Sequence, residues 1–265
     1  MKHYMEETVA KWLAAGEPVL LEGPPGTGKT TIAINLAKEA GKKLCIIPGN
    51  NQATVNSLLG FRAIDGGYVS AQFREAVEHG HYFLWDEINA MDPNVVLVTN
   101  MIENGKMSFP DKVVDVHTDF RMLATCNPIS MATGRRPLDA STLDRYHKVI
   151  IEADPNIEEY MSHSPEVMEM VRVARKVLEN NATTIELTPR DIRRLSKAVE
   201  HGIEEHPLKA VVFKDDEHLY NEYLGTIERE KEEIERRAEE NRKAMAGQAD
   251  AQSFEEAWEK IQEGK

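Results

Sequence analysis

Cysteine is nearly absent from this chain: Cys45 and Cys126 are the two among 265 residues. Two thiols cannot build a disulfide framework or supply four zinc ligands. Both fall in short apolar runs that read as buried strands, where a thiol behaves as a small apolar group rather than a nucleophile. The histidines show no metal-ligand spacing, since His79 and His81 flank a loop and His201 and His206 a helix end. Long apolar runs are missing too, and nothing approaches the roughly 18 residues of a membrane span. Near the amino terminus, Glu6 and Glu7 stand where a signal peptide needs its apolar run. Positive charge is in deficit, with 32 basic against 45 acidic residues and a net of −13. That balance argues against a surface that grips nucleic acid throughout, although a local basic channel stays open. With 41% hydrophobic and 29% charged residues, the expectation is a soluble, cytoplasmic, globular protein with a sizeable core and no membrane partner.

The charge is uneven. Residues 215–265 hold 16 acidic and 8 basic side chains, so −8 of the total lies in the last fifth of the chain and −5 in the first 214 residues. No internal repeat is visible. The first 150 residues alternate short apolar runs with helical patterns, the habit of an α/β domain with a parallel sheet covered on both faces. Strands are expected at Val19–Glu22, Leu44–Ile47, Tyr82–Trp85, Arg121–Cys126 and Lys148–Ile151. Helices are expected at Thr30–Ala40, Val55–Leu59, Ala71–Glu78 and Asn94–Glu103. Two hairpins interrupt this rhythm. One turns at Asp65-Gly66-Gly67, where Asp-Gly suits a tight turn; the other spans Lys106–Val116 with Pro110-Asp111 at its turn. After Pro155 the pattern is helical, with Pro165–Glu179 and Pro189–His201 each opening on a first-turn proline. The expected division is an α/β nucleotide domain over 1–153, a small all-α lid over 154–213 and an acidic helical tail over 214–265.

Gly23-Pro24-Pro25-Gly26-Thr27-Gly28-Lys29-Thr30 fits G-x-x-x-x-G-K-[ST], with an apolar strand before it and a helical pattern, starting at Thr31, after it. Glycines let the backbone curl so that N–H groups face phosphate oxygens, and the helix start adds positive potential. Lys29 would reach the β- and γ-phosphates of ATP, and the Thr30 hydroxyl would sit on Mg²⁺. A P-loop alone does not separate a kinase from a hydrolase. Asp86 and Glu87, which end an apolar strand, do: Asp86 would hold the metal while Glu87 orients or deprotonates a water. Asn127 closes the strand ending in Cys126, where ligands of parallel sheets gather; it either touches the attacking water or the γ-phosphate, or simply starts a turn before Pro128. Arg145 precedes the fifth strand and Arg190 opens a later helix. Guanidinium groups suit transition-state phosphate charge, yet each arginine taken alone also reads as a solvated surface residue.

In this order, the P-loop, the Asp-Glu strand end, Asn127, Leu-Asp-Arg-Tyr (143–146) and Thr-Pro-Arg (188–190) resemble the AAA+ ATPases. More narrowly, Ser57-Leu-Leu-Gly-Phe, Asp86–Asn94, Phe109-Pro-Asp and Leu138–Arg145 resemble the MoxR-type branch, which carries a hairpin inserted in helix 2. The nearest likeness is to small subunits of aerobic cobaltochelatase and their phage-encoded look-alikes, over roughly residues 15–205. The resemblance implies a P-loop NTPase three-layer fold with a lid, Asn127 as sensor 1, Arg145 as an arginine finger acting on a neighbour, and Arg190 as sensor 2. It also implies a homo-oligomeric ring, often a hexamer, and a von Willebrand A-type protein partner. Arg135 and Arg136 compete for the trans-acting role.

The tail carries a stripe at Tyr220, Leu224, Ile227, Ile234, Ala238 and Met245, a narrow seam on a charged helix that either lies on the lid or forms a weak coiled coil. Phe254, Trp258 and Ile261 follow at i, i+4, i+7, an anchor that either packs on the protein itself or docks a partner. The function expected is Mg²⁺- and ATP-dependent hydrolysis that remodels a partner protein. A nucleic-acid-stimulated motor competes, although the Phe61–Gln72 hairpin offers only Arg62 against Asp65 and the Lys106–His117 hairpin two lysines. Nucleotide-gated binding without turnover and GTP use are the other competitors.

Overall fold

The computed structural model describes residues 2–49, 53–128, 137–183, 185–203, 207–237 and 239–240. Among them lie nine strands: β1 (Val19–Glu22), β2 (Leu44–Pro48), β3 (Phe61–Arg62), β4 (Tyr68–Val69), β5 (Tyr82–Asp86), β6 (Lys106–Ser108), β7 (Val113–Asp115), β8 (Arg121–Cys126) and β9 (His147–Ile150). Five pair in parallel in the order β2-β5-β8-β1-β9. The P-loop strand β1 therefore lies between β8 and β9, and its carboxyl end opens beside that of β8. Parallel α/β sheets bind ligands at such ends.

Side chains alternate across the sheet, and the two faces carry separate cores. Leu20, Phe83, Trp85, Met122 and Ala124 face one layer, which holds Leu58 of α3 (Val55–Leu59) and Phe73, Ala76 and Val77 of α4 (Gln72–His79). Val19, Leu21, Leu84 and Leu123 face the other, packed on Val9 and Leu13 of α1 (Glu6–Ala14) and on Ile32, Ala33 and Leu36 of α2 (Lys29–Glu39). This is the three-layer α/β fold expected from the sequence. The stretch expected as one helix over Asn94–Glu103 instead splits into α5 (Pro93–Leu97) and a 3₁₀ turn, Val98–Asn104. Thr99 donates its hydroxyl back to the Val96 carbonyl at 2.7 Å, a local bond that competes with regular helix.

Both expected hairpins form, β3 with β4 and β6 with β7. Two arginines link them. Arg74 donates to Asp111 at 2.6 Å and to Glu78 at 3.1 Å, and its guanidinium lies 4.4 Å from the centre of the Tyr68 ring. Arg62 adds a 3.0 Å bond to the Pro110 carbonyl. At the tip of the first hairpin, Ile64 is fully exposed.

Two compact units result, Met1–Met161 with Thr188–Arg193, and Ser162–Leu187 with Arg194–Lys265. This division differs from the expected 1–153, 154–213 and 214–265. The start of the tail is packed into the helical unit: Leu219, Tyr223 and Thr226, in a helical stretch over 217–237, are buried. Beyond the short helices α6 (Ala140–Leu143) and α7 (Pro155–Ser162) lies α8 (Pro165–Asn180), and Glu230 of the tail stretch pairs with its Arg172 and, at 2.8 Å, with its Lys176. The buried seam is therefore offset by one residue from the expected stripe, and Leu224 and Ile234 are exposed. The Tyr223 ring decides the offset, lying 5.6 Å from Phe213. Ala238, Met245, Phe254, Trp258 and Ile261 lie outside the described residues, as do Arg135 and Arg136.

Candidate active site

Register brings the site together before any side chain is considered. Trp85 of β5 pairs with Ala124 of β8, so Asp86 ends beside Thr125, and Glu22 pairs with Cys126, so the P-loop leaves β1 beside Asn127. Residues 23–28 then arch into α2. Gly26 and Gly28 take φ of 84° and 92°, a left-handed backbone that side chains disfavour and that turns successive N–H groups toward one hollow. Thr27 is buried and donates to the Pro24 carbonyl at 3.0 Å, holding the arch closed.

Lys29 is buried, and its ammonium donates to the carbonyls of Gly23 and Pro24, each at 2.7 Å, and to Asn127 Oδ1 at 2.9 Å. Burial pulls its pKa down to about 8, against the upward pull of nearby acids that include Asp86 and Glu87. Thr30 donates to Asp86 Oδ1 at 3.0 Å, and Thr125 donates to the same oxygen at 2.8 Å. The Thr125 hydroxyl also accepts from the Glu87 N–H at 2.8 Å. Consecutive strand residues would point to opposite faces. Glu87 escapes this by adopting φ 62°, ψ 53°, a conformation that costs on the order of 1–3 kcal/mol for a non-glycine residue. Both carboxylates thereby line one cavity. Asn127 donates to Glu87 Oε1 at 3.1 Å and accepts from Asn89 at its own carbonyl at 2.9 Å. Its amide thus ties the cation of the P-loop to the second carboxylate.

The cavity has a volume of about 380 Å³. Pro25, Gly26, Gly28, Lys29, Thr30 and Thr31 line it, together with Asp86, Glu87, Thr125 and Asn127. Arg190 and Arg193 complete it from the first turns of α9 (Pro189–Glu200). That helix starts on Thr188, whose hydroxyl donates to Asp191 Oδ2 at 2.7 Å. The residues fit a magnesium nucleotide: the arch supplies N–H donors, Lys29 a cation, and Thr30 with Asp86 a hydroxyl and a carboxylate, the hard oxygens that Mg²⁺ prefers.

Of the expected site residues, Gly23, Pro24 and Thr27 of the arch are not among those lining this cavity, and neither is Arg145. The Arg145 Nε pairs with Glu103 at 2.7 Å and its Nη1 donates to the Ser141 carbonyl. The short helix α6 that precedes it is capped by Asp139, which accepts from the Thr142 N–H at 2.9 Å and from the Ser141 and Thr142 hydroxyls at 2.7 and 2.8 Å. Those bonds, led by the Ser141 hydroxyl, hold its carboxyl at about 2.

Sequence reasoning missed three contributors. Thr125 hid in an apolar strand, although it stands two residues before Asn127 and so on the same face. Arg193 stood three residues after Arg190, one helical turn away. Gly49 follows β2, and a Cβ there would lie 2.1 Å from the Glu87 carbonyl; no local pattern signals so close an approach. Both cysteines are buried and unpaired, and burial pushes the Cys126 thiol up to about 11, consistent with small apolar packing.

Residues 18–146 match the AAA domain of the dynein-related subfamily. Over that stretch the chain is similar to AAA ATPase domains. Gas vesicle ATPase GvpN1 of Halobacterium salinarum is 28% identical over 218 residues, covering 68% of this chain and 62% of that protein. Midasin of Giardia intestinalis is 30% identical over 156 residues, covering 54% of this chain and 3% of midasin. The chain thus spans less than two thirds of either relative's length. Among solved structures, NtrX from Brucella abortus shares the fold with a TM-score of 0.53 at 14% identity, over 73% of this chain and 47% of that one. Among the described residues no helix is long and apolar enough to cross a membrane.

Proposed function

We propose that this chain is a Mg²⁺-dependent AAA+ ATPase of the MoxR type that works in the cytoplasm, acting as a homo-oligomeric ring to remodel a partner protein or complex. The observation that carries the reading is the linked set Lys29–Asn127–Glu87 beside Thr30–Asp86. A second carboxylate next to the metal-binding one can take a proton from a water at the γ-phosphate, the group a hydrolase requires. Bound Mg²⁺ would neutralise charge on the phosphates. The chain's own residues do the rest. The arch and Lys29 bind and orient the phosphates, and Thr30 and Asp86 hold the metal. Glu87 takes the proton of the attacking water, and Asn127 positions that carboxylate. Arg190, with Arg193 beside it, meets the γ-phosphate from α9.

Arg145 lies outside its own chain's cavity, which supports a role on a neighbouring subunit in a ring, with a hexamer as the expected size. The paired hairpins carry Ile64 and little positive charge, a combination suited to a protein client. A MoxR-like chaperone or a chelatase-subunit-like role, with a von Willebrand A-type partner, is the finer form of the proposal. The test is steady-state ATP and GTP hydrolysis beside nucleotide binding. Glu87→Gln is expected to keep ATP affinity while turnover falls by about 10²–10⁴. Unchanged turnover overturns the assignment. Stimulation by nucleic acid would instead favour a motor.

A further inference from the structure

The helical unit contains a cavity that the nucleotide site does not use. It measures about 770 Å³, and Ala198, Ile203, Val211 and the Tyr220 ring are among the residues lining it. Ile203 is 55% exposed. Among the described residues that line it, Arg194, Lys197 and Lys209 are basic and Asp215 is acidic. Lys209 is paired with Glu217 at 2.5 Å and stands 5.8 Å from the centre of the Tyr220 ring. A lining that mixes apolar side chains with cations suits an acidic amphipathic helix.

The same chain carries such a segment. Ser253-Phe254-Glu255-Glu256 reads as a capping box, with Ser at the cap and Glu three residues on. Phe254, Trp258 and Ile261 then fall on one helical face, while Glu255, Glu256, Glu259 and Glu263 outnumber Lys260 around it. Reach allows the segment to return. Tyr220 at the cavity and Arg237 at the end of the helical stretch over 217–237 are separated by ~26 Å at ~1.5 Å per residue. Residues 238–253 can extend to ~53 Å at ~3.3 Å per residue. We propose that the chain's own segment 254–261 folds back in cis and seats Phe254, Trp258 and Ile261 in this cavity, its glutamates against Lys197 and Arg194.

Hydrogen exchange on the full chain tests this. Amides of 254–263 are expected to exchange about tenfold or more slowly than an unstructured peptide of the same sequence, to the same extent at low and high protein concentration. Trp258→Ala, and separately Lys197→Glu with Arg194→Glu, are each expected to remove that protection, and Trp258→Ala also to speed exchange around 203 and 211. Neither touches the nucleotide site, so ATP affinity is a folding control that stays unchanged, and the outcome is independent of the proposed ATPase reading. Unprotected amides in the wild-type chain overturn the proposal. So does protection that survives both variants, protection that grows with protein concentration (a second copy as the source), or protection that needs an added partner.

Discussion

The phosphate cavity and the Arg145 corner draw on the same motif set and differ in completeness. In the cavity, residues from the P-loop, β5, β8 and α9 converge on about 380 Å³, and the central polar groups bond to one another. Arg145 instead pairs with Glu103 at 2.7 Å and lines no part of that cavity. One fold assembles the groups that bind a triphosphate and position a base. The expected finger Arg145 is left outside that cavity, half-buried against Glu103 of the same chain. On the proposed reading, the cavity is completed by another copy.

The comparison can be broken most forcefully at Arg145. Arg145→Ala is expected to lower ATP turnover by about 10³-fold while ATP affinity stays within about twofold, because the group acts in the transition state and from outside its own cavity. A matching loss of affinity, read by titration with a fluorescent nucleotide, would move Arg145 into its own chain's site. Next in size is Gly49→Ala. Its Cβ would lie 2.1 Å from the Glu87 carbonyl, so the second carboxylate must shift, and turnover is expected to fall by up to about 10²-fold with binding little changed. Wild-type turnover in this variant would show that the Glu87 geometry tolerates displacement.

A pH profile sharpens the cavity side. Burial holds Lys29 at about 8, so its charge is present below that pH and is lost as pH rises through it. ATP affinity is expected to weaken by up to about tenfold between pH 7 and 9, with proton uptake on binding above pH 8, because phosphate favours the charged amine. Calorimetry in buffers of different ionisation enthalpy reads that uptake; its absence would mean the amine is already charged throughout. The smallest effect is expected at Arg193, which lines the cavity from α9. Arg193→Ala should raise KM for ATP by about threefold and leave kcat nearly unchanged, the loss of one charge-assisted contact at an exposed position.

Much of this was legible in the sequence, for local reasons. β1 and β8 run over the expected residues because apolar runs of that length, bounded by turn residues, have few alternatives. Val55–Leu59 forms as expected, with Thr54 and Ser57 exchanging cap bonds. The catalytic motifs were readable because phosphate chemistry fixes spacing within a single loop. What escaped depends on chain segments far apart. Thr125 matters because β8 pairs with β5 in one register, and Gly49 because the end of β2 presses on Glu87. The tail seam shifted by one residue because Phe213 and the cations of α8 chose Tyr223 and Glu230, a choice no periodicity contains.

Mixing two inactive variants tests the central claim most directly. Arg145→Ala supplies an intact Glu87, and Glu87→Gln supplies an intact Arg145, so a subunit interface joining them in one order has every group. Combined at equal amounts and allowed to exchange subunits, the two proteins are predicted to recover ATP hydrolysis to about a quarter of wild type, the share of heterologous interfaces paired in that order. A mixture no more active than its parts, in assemblies shown to contain both variants, would contradict the account.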